Sequence, residues 1–352
     1  MDLILNRLTD DCTHVEGNMN TLENEVIRVI SKPTGIPAAE NFRLEKEPVP
    51  ELQPGQIRVR NEWLSVDPAM RGWLADANNY ASVNVGDVMR SLCVGTVVES
   101  NVSTVSEGER LMGWFGWQTC ATVKPEAIVQ KITASDLPPS LYLGVLGLNG
   151  ITAATALDKL GSPEPGDTVV VSTAAGGVGS CVGQLAKTMG CRTVGLTSSP
   201  EKVKACYEAF GYDHVINYKT DDIDQALKNA CPDGVDVYFD NTAGTISDSV
   251  MPHLAIGARV IVCGTASIPS WDPPPMGPRV NRILLTRRAR MQGFILFDHK
   301  DTYASYVEQL EQLVRDKKLT YREHITDGLL TAPGAIAELY RGENLGKRLI
   351  RI

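Results

Sequence analysis

A cluster of glycines lies where a short apolar run passes into a sequence with helical periodicity, in TVVVSTAAGGVGSCVGQ (168–184). Gly176, Gly177 and Gly179 leave the backbone without side chains at this turn, so its amide groups can approach an anion closely. The dipole of the following helix favours negative charge at the same point. The pattern predicts a binding site for the pyrophosphate of a dinucleotide, and the alternative is a turn with a purely structural role.

The end of the next predicted strand decides which dinucleotide fits, because an acidic residue there would accept hydrogen bonds from the adenosine ribose. The segment GLTSSPEK (195–202) has no carboxylate before Glu201, whereas Ser198 and Ser199 offer hydroxyl groups and Lys202 offers a positive charge. Hydroxyl and ammonium groups suit an additional 2′-phosphate. The segment therefore favours NADP(H) over NAD(H), unless Lys202 is an ordinary solvated charge on a helix.

Predicted strands and helices alternate around these residues, from DTVVVST at 167–173 to MQGFILF at 291–297. This βαβα succession predicts an α/β fold with a doubly wound parallel sheet, in the strand order 3-2-1-4-5-6. From Glu25 to about Lys131, short apolar runs are separated by Gly and Pro turn signals, which predicts a small β-barrel-like domain. The tail (321–352) is expected to pack back onto that domain.

Composition favours a globular protein and makes several other classes improbable. The chain has 352 residues, 43% of them hydrophobic, which suits two domains with separate cores. Its net charge of −8 disfavours nucleic acid as a partner, and RILLTRRAR (282–290) is interpreted as a solvated helix face. The eight cysteines are scattered without a C-x-x-C pair, as in a reduced cytoplasmic protein. No apolar run is long enough for a membrane span, and residues 1–22, which lack signal-peptide features, are predicted to be a disordered extension.

The motifs taken together resemble a known family. VSTAAGGVGSCVGQLAKTMGCRTVG, SSPEKV, INYK, VDVYFDNTAG, VIVCG, MQGFILF and GENLGK, with LSVDPAMRG and YREHITDGL, are similar to the zinc-independent medium-chain dehydrogenase/reductase superfamily. The likeness is greatest to its NADPH-dependent alkenal, prostaglandin and curcumin double-bond reductases, and it runs from about Val26 to Ile352. It implies a Rossmann NADP-binding domain over 141–314 and a GroES-like catalytic domain over 23–140 and 315–352, with the substrate cleft between them.

The resemblance also implies roles for single residues. The turn matched by Gly177, Val178 and Gly179 holds the pyrophosphate, and the positions of Lys202 and Tyr218 hold the 2′-phosphate. The positions that line the nicotinamide and its ribose are Thr152, Asn241, Gly264, Phe294 and Asn344. Because such relatives are commonly homodimers, a homodimer is expected here by resemblance.

No metal is expected in this chain. The zinc-dependent relatives carry a catalytic cysteine, a G-H-E stretch and a lobe of closely spaced cysteines, and this sequence contains none of them. Its five histidines are isolated from one another. The reaction implied by the resemblance is hydride transfer from NADPH to the β-carbon of an α,β-unsaturated carbonyl compound, followed by protonation at the α-carbon.

The sequence departs from the family at two places where a tyrosine commonly stabilises the substrate. The family motif D-P-Y-M-R reads DPAMR here, with Ala69 in the tyrosine position, and the second tyrosine position falls near Ile268 or Pro269. Tyr80, in ADANNYASVNVG, is the candidate catalytic phenol, with a packing role as its alternative. Charge on the substrate oxygen would otherwise be stabilised by the cofactor ribose hydroxyl, a backbone N–H or water.

Further candidates for the substrate cleft are Arg71, Trp73 and Trp271. Arg71 and Trp73 follow Ala69 closely, and their alternatives are a structural salt bridge and ordinary packing. Trp271 belongs to SWDPPPMGP, a loop expected to cover the cofactor. The expected substrate is an enone or alkenal. Two alternatives stay open, a quinone reductase of the ζ-crystallin type and an NADPH-binding protein without catalysis, as do the stereochemistry and the proton donor.

Overall fold

The structure, a computed structural model, describes residues 23–75, 81–268, 270 and 273–352. Short strands fill the first part of the chain, and the tail returns to them. They are β1 (Glu23–Val29), β2 (Phe42–Pro48), β3 (Ile57–Ser65), β4 (Leu92–Ser100), β5 (Arg110–Trp114), β6 (Cys120–Val123) and β7 (Ile128–Ile132), with β14 (Glu323–Asp327) and β15 (Lys347–Arg351) from the tail. β1 and β2 pair with each other, and the other seven form a mainly antiparallel sheet in the order β14-β15-β3-β4-β5-β7, with β6 also paired to β3.

The middle of the chain forms a six-stranded parallel sheet. Its strands are β8 (Thr168–Ser172), β9 (Arg192–Thr197), β10 (His214–Asn217), β11 (Val235–Asp240), β12 (Leu254–Val262) and β13 (Arg290–Gly293). Their order in the sheet is β10-β9-β8-β11-β12-β13, so the predicted doubly wound order 3-2-1-4-5-6 is confirmed. All five residues of β8 are buried, as expected of a central strand that is covered on both faces.

Helices pack against both sheets, most of them against the parallel one. They are α1 (Ala69–Leu74), α2 (Leu148–Ala156), α3 (Gly177–Thr188), α4 (Pro200–Glu208), α5 (Ile223–Ala230), α6 (Gly244–Val250), α7 (Asn281–Arg287), α8 (Tyr303–Arg315) and α9 (Ala332–Arg341). The start of α4 agrees with the sequence signals, because Ser199 is its N-cap and accepts a hydrogen bond from the backbone N–H of Lys202 at 3.3 Å. Pro200 occupies the first turn, where its missing N–H costs nothing.

The predicted strand 291–297 is too long at its C-terminal end. β13 stops at Gly293 because its partner strand β12 stops at Val262, the residue paired with it. Beyond that point a strand would have no neighbour to bond to. The chain turns instead into a short 3₁₀ segment, Leu296–Thr302, which leads into α8.

The two sheets share a hydrophobic core. Leu92, Met112 and Leu349 of the antiparallel sheet belong to the same buried cluster as Val169 and Phe239 of the parallel sheet. A second cluster lies within the antiparallel part and a third within the parallel part. The sequence boundaries of the two domains stay a prediction. Of the helices described, none combines the length and the apolar character that crossing a membrane requires.

Candidate functional site

A cavity of about 1660 Å³ lies between the carboxyl ends of the parallel strands and the antiparallel sheet. Most of the residues singled out from the sequence line it. They include Ala69, Arg71, Trp73, Thr152, Gly177, Val178, Gly179, Ser198, Lys202, Tyr218, Asn241, Gly264, Phe294 and Asn344. Two others, Tyr80 and Trp271, lie outside the described residues. The fold thus gathers positions up to 275 residues apart, from Ala69 to Asn344, around one space.

The glycine-rich turn brings α3 unusually close to the end of β8. A Cβ atom on Gly179 would lie 2.2 Å from the carbonyl oxygen of Thr173, so no larger residue fits without a shift of the backbone. Thr173 itself has a positive φ of 55°, which lets the chain reverse directly after the strand. Gly176 is the N-cap of α3, and the amides of the first helical turn are therefore free to bind a ligand in the cavity.

Tyr212 is hydrogen-bonded to this turn, a contact that the sequence did not suggest. Its hydroxyl donates a hydrogen bond to the carbonyl oxygen of Gly179 at 2.6 Å, and its side chain is buried. A Cβ on Gly183 would lie 2.2 Å from the Tyr212 ring, so glycine at that position makes room for it. Burial raises the pKa of Tyr212 well above its usual value, which keeps the phenol neutral and able to donate.

The tail closes over the other side of the glycine-rich turn. The N–H of Gly346 donates to the carbonyl oxygen of Ala175 at 2.9 Å, and Gly346 forms an isolated parallel bridge with Gly176. Gly346 has a φ of +74°, and a Cβ there would lie 2.0 Å from the carbonyl oxygen of Arg322. Asn344 shapes this loop, because its Nδ2 donates to the carbonyl oxygen of Gly346 at 2.9 Å.

Ser198 and Lys202 converge at the end of the cavity next to β9. Both side chains lie near one point beside Gly342: a Cβ on that glycine would be 3.3 Å from the hydroxyl of Ser198 and 3.6 Å from Nζ of Lys202. Lys202 is only 9% exposed, so the alternative of a solvated helix charge is wrong. Burial, followed by repulsion from Lys219, lowers the pKa of Lys202. Within the described residues no carboxylate forms an ion pair with this buried ammonium group, which suits it to an anionic ligand.

At the other end of the cavity, Asn241 joins the ends of β8 and β11. Its N–H donates to the hydroxyl of Ser172 at 2.8 Å, and its side-chain amide donates to the Ser172 carbonyl oxygen at 2.7 Å. Gly264 packs against it, because a Cβ at that position would lie 2.8 Å from the carbonyl oxygen of Asn241. Phe294 lies next to them, with its N–H bonded to Val262 at 3.1 Å. In a doubly wound sheet this junction between the first and fourth strands is where ligands bind.

Asp240 fixes this end of the cavity and was missed in the sequence. Its carboxylate is 2% exposed and accepts hydrogen bonds from the N–H groups of Thr242 and Ala243, each at 2.9 Å, and from the Tyr238 hydroxyl at 3.1 Å. These bonds hold Ala243 at a φ of +56°, which a residue with a side chain seldom adopts. The signal that could have revealed Asp240 is its place at the end of VDVYFDN, where a buried strand leaves the sheet.

The antiparallel part contributes aromatic and cationic groups. Trp73 and Trp114 meet edge to face at 5.7 Å between ring centroids, and Trp114 meets Phe297 at 5.9 Å across the cleft. The Arg90 guanidinium lies 3.9 Å from the centroid of Trp114. Ala69 lines the cavity at one position where the family commonly has tyrosine. The second such position falls near Ile268, which also lines the cavity, or near Pro269, which lies outside the described residues.

Arg71 reaches across the cleft and Tyr340 supports it. Nη2 of Arg71 donates to the carbonyl oxygen of Thr265 at 3.3 Å, and its guanidinium lies 4.5 Å from the ring centroid of Tyr340. The Tyr340 hydroxyl donates to the carbonyl oxygen of Pro68 at 2.7 Å. In the part of the chain that the structure covers, Arg71 has no carboxylate partner, so nothing there supports the alternative of a structural salt bridge. Sequence reasoning missed Tyr340; its place shortly before GENLGK was the available signal.

Groups of three or more His, Cys, Asp or Glu side chains placed to hold a metal ion are absent from the described segments.

Two family models match the chain, one described as an N-terminal domain of oxidoreductase at residues 26–132 and one described as a zinc-binding dehydrogenase at residues 177–312. The first model therefore covers most of the strands of the antiparallel part, and the second covers most of the strands of the parallel sheet.

Proteins with similar sequences and structures cover nearly the whole chain. The NADPH-dependent curcumin reductase of Escherichia coli is 39% identical over 328 residues, which are 92% of this chain and 95% of that protein. The NADP-dependent 2-alkenal reductase of Nicotiana tabacum is 34% identical over 338 residues, 94% of this chain and 98% of that protein. The crystal structure of CurA from Vibrio vulnificus in complex with NADPH has a TM-score of 0.87 and 38% identity, covering 93% of this chain and 98% of that chain. The chain therefore belongs to the zinc-independent branch of the medium-chain dehydrogenase/reductase superfamily.

Proposed function

We propose that this protein uses NADPH to reduce the carbon–carbon double bond of α,β-unsaturated carbonyl compounds. The observation that carries the proposal is that one cavity brings together a glycine-rich turn, an aromatic cleft and a buried lysine that has no ion-pair partner among the described residues. The turn and the lysine suit a dinucleotide with a 2′-phosphate, and the aromatic cleft suits an apolar substrate beside it. The names of the relatives, curcumin reductase and alkenal reductase, support the same chemistry.

The residues present fit NADPH on two structural grounds. At Gly179 a Cβ would clash with Thr173, so glycine lets the first turn of α3 lie close to the strand end, where its N–H groups can face a pyrophosphate. Near Ser198, the ammonium group of Lys202 is buried without a carboxylate partner among the described residues, as a binding site for an additional phosphate requires. In this proposal Gly177, Val178 and Gly179 bind the pyrophosphate, and Ser198, Lys202 and Tyr218 bind the 2′-phosphate. The nicotinamide and its ribose are lined by Thr152, Asn241, Gly264, Phe294 and Asn344.

The chain's own residues would orient the substrate and exclude water. Bound NADPH would supply a hydride to the β-carbon, and a proton added at the α-carbon completes the conversion of C=C to C–C with release of NADP⁺. Trp73, Trp114 and Phe297 form an apolar wall against which a planar enone can lie. Ala69 leaves room beside them, since its side chain is a single methyl group. Tyr80 stays a prediction for a phenol that stabilises charge on the substrate oxygen, and Trp271 stays a prediction for the loop that covers the cofactor.

An activity panel tests this proposal. Purified protein is mixed with NADPH and, in turn, with an aliphatic enone, an alkenal, an aryl enone and a quinone, and the NADPH absorbance is followed. We expect NADPH oxidation with at least one enone or alkenal and a reduced C–C product by mass spectrometry. A clear preference for the quinone would identify a quinone reductase instead. Tight NADPH binding without oxidation by any member of the panel would indicate a binding protein without catalysis.

We also propose a homodimer. β13 is an edge strand of the parallel sheet, and all four of its residues are exposed in the single chain. An exposed strand edge is a ready surface for pairing with a second copy. Light scattering after size exclusion should give twice the chain mass of 38.2 kDa, and a value near one chain mass would contradict the proposal.

The cytoplasm is the proposed location, on the grounds of the scattered cysteines and the acidic composition. Cell fractionation would locate the protein.

The domain boundaries at about residues 140 and 315 are proposed from the sequence. Limited proteolysis with mass mapping would locate the accessible linkers.

A further inference from the structure

The cavity wall contains six lysine or arginine side chains, and most of them have an evident task. They are Arg71, Lys202, Lys219, Arg341, Lys347 and Arg348. Three of these are ion-paired: Lys347 with Asp67, Arg348 with Glu338 at 2.6 Å, and Arg341 with Glu343. Lys202 and Lys219 lie together at the adenosine end. Of the cations on the substrate side of the cavity, Arg71 alone lacks a carboxylate partner among the described residues.

Arg71 lies where a charged substrate oxygen would need it. Its Nη2 contacts the carbonyl oxygen of Thr265, the residue after Gly264, whose backbone packs against Asn241. The guanidinium therefore spans from α1 to the end of the parallel sheet where the reaction is proposed. A guanidinium has five N–H donors, and the contact with Thr265 uses one of them.

Tyr340 holds the guanidinium in this position. Its ring lies under Arg71 at 4.5 Å, and its hydroxyl is anchored to Pro68 at the start of α1 by a 2.7 Å hydrogen bond. Burial raises the pKa of Tyr340 to about 12, with Arg71 opposing the shift, so the phenol stays neutral and keeps its hydrogen bond. The ring thus limits the positions that the long arginine side chain can adopt.

We propose that Arg71 is a catalytic residue that stabilises the negative charge on the carbonyl oxygen of the enone as its β-carbon is reduced, and that Tyr340 is its positioning residue. The inference rests on the proposed function. Ala69 occupies one position where the family commonly has a tyrosine hydroxyl for this purpose, and the second falls near Ile268 or Pro269, so Arg71 offers a donor where those tyrosines are missing. A fixed cation in a cavity shielded from water stabilises an oxyanion strongly, because it requires no reorganisation during the reaction.

The first experiment compares Arg71→Met, Arg71→Lys, Tyr340→Leu and Tyr340→Phe with the wild type. We expect Arg71→Met to lower kcat for an enone about 100-fold while the Kd for NADPH, measured by its fluorescence, changes little. Arg71→Lys should recover part of the rate because it keeps the charge. Tyr340→Leu should lower kcat more than Tyr340→Phe, which keeps the ring. The control is Arg351→Met, since Arg351 also lies over an aromatic ring, that of Trp63 at 6.0 Å, but outside the cavity.

The second experiment needs no turnover. 4-Nitrophenol, whose phenolate resembles an enolate in charge, is titrated with pH in the presence of protein and NADP⁺, and its phenolate absorbance is recorded. We expect the wild type to lower the apparent pKa of the bound phenol by about one unit, and Arg71→Met to abolish this shift.

The possible outcomes separate the two hypotheses. If the wild type reduces no enone, the proposed function fails, and the phenolate titration still tests anion binding by Arg71. If the wild type reduces enones and Arg71→Met reduces them equally fast, the role of Arg71 is wrong. If Arg71→Met raises the Kd for NADPH and leaves kcat unchanged, Arg71 binds the cofactor and does not stabilise the substrate oxygen, which overturns the inference. Should Arg71→Met fail to fold, Arg71→Lys and Tyr340→Leu decide the outcome through the same two readouts.

Discussion

At the scale of single residues, Lys202 connects burial with cofactor choice. Its ammonium group lies in the interior with Ser198 beside it and Lys219 as a charged neighbour. A buried cation without a counter-ion is unfavourable until an anion binds to it. The same feature that would select a 2′-phosphate therefore lowers the stability of the cofactor-free protein.

Lys202→Ala should weaken NADPH binding by about 10-fold or more, the range expected for a charge-assisted hydrogen bond, and should leave NADH binding nearly unchanged. Titration of each nucleotide by fluorescence measures this. Lys204→Ala is the matched control, because Lys204 lies on the same helix but is exposed and pairs with Glu208 at 3.9 Å. Equal losses for NADPH and NADH would contradict the phosphate assignment.

Lys202→Met should raise the Tm of the cofactor-free protein at pH 7 and reduce the additional Tm gained with NADPH. The pKa of Lys202 is lowered on folding, so the folded state disfavours the charged form below the ordinary pKa of 10.5. Stability of the wild type therefore rises as pH increases from the lowered pKa toward 10.5, where the lysine loses its proton in both states. Differential scanning fluorimetry at pH 7 and pH 10 should show the advantage of the variant shrinking with pH. Lys204→Met, at an exposed position, should show no such trend.

Residue types near the glycine motif could be predicted, whereas partners from distant segments could not. Lys202 was recognised because it follows a strand and a capping serine within one short segment. Tyr340 and Asp240 were missed since their significance depends on contacts to Arg71 and to the turn after β11, which no local spacing reveals. The absence of a carboxylate beside Arg71 among the described residues is likewise a property of the tertiary structure.

At the scale of elements, the proposed pyrophosphate site depends on the connection between β8 and α3. The helix begins one turn from the strand end, and the two backbones meet at Gly179 and Thr173. Tyr212 fixes the arrangement by its hydrogen bond to Gly179. The start of α3 cannot move away from Tyr212 without breaking that bond.

Gly179→Ala should abolish measurable NADPH binding and lower stability by about 1–3 kcal/mol, because its Cβ would meet the Thr173 carbonyl oxygen at 2.2 Å and force the backbone apart. Urea unfolding and a fluorescence titration give the two quantities. Gly334→Ala is the control: it lies in α9 with open space around it, so alanine should raise stability by up to about 1 kcal/mol. Unchanged NADPH affinity in Gly179→Ala would show that this close approach is not required.

The order of the elements could be predicted well, because each strand and helix of the parallel part has its own hydrophobic periodicity and its own residues that favour a start or an end. Element ends were less predictable, since they depend on neighbours. β13 stops where β12 stops, and α8 ends at Arg315, before Lys317 adopts a φ of +57°. Such ends are set by pairing and packing that a single segment does not record.

At the scale of the whole molecule, the shared core makes the two sheets interdependent. Leu92 and Leu349 of the antiparallel sheet are buried in the same cluster as Val169 and Phe239 of the parallel sheet. Separation of the sheets would expose this apolar surface to water, which is unfavourable in proportion to its area.

We therefore expect one cooperative unfolding transition. Tryptophan fluorescence reports mainly on the antiparallel part, which contains Trp63, Trp73, Trp114 and Trp117, and far-UV circular dichroism reports on the helices around the parallel sheet. The two probes should give coincident urea curves. Leu349→Ala, which opens the shared cluster, should shift both curves by the same amount. Two resolved transitions would show that the sheets unfold independently.

The position of β15 has a consequence for synthesis of the protein. This strand lies between β14 and β3 in the antiparallel sheet, so residues that are made later than the whole parallel sheet occupy an interior place beside residues that are made before it. The parallel sheet has no such requirement, because all its strands have been made by Gly293. On the ribosome the parallel sheet can fold first, while the end of β3 at Trp63–Ser65 stays unpaired on the side of β15 until β15 emerges to cover it.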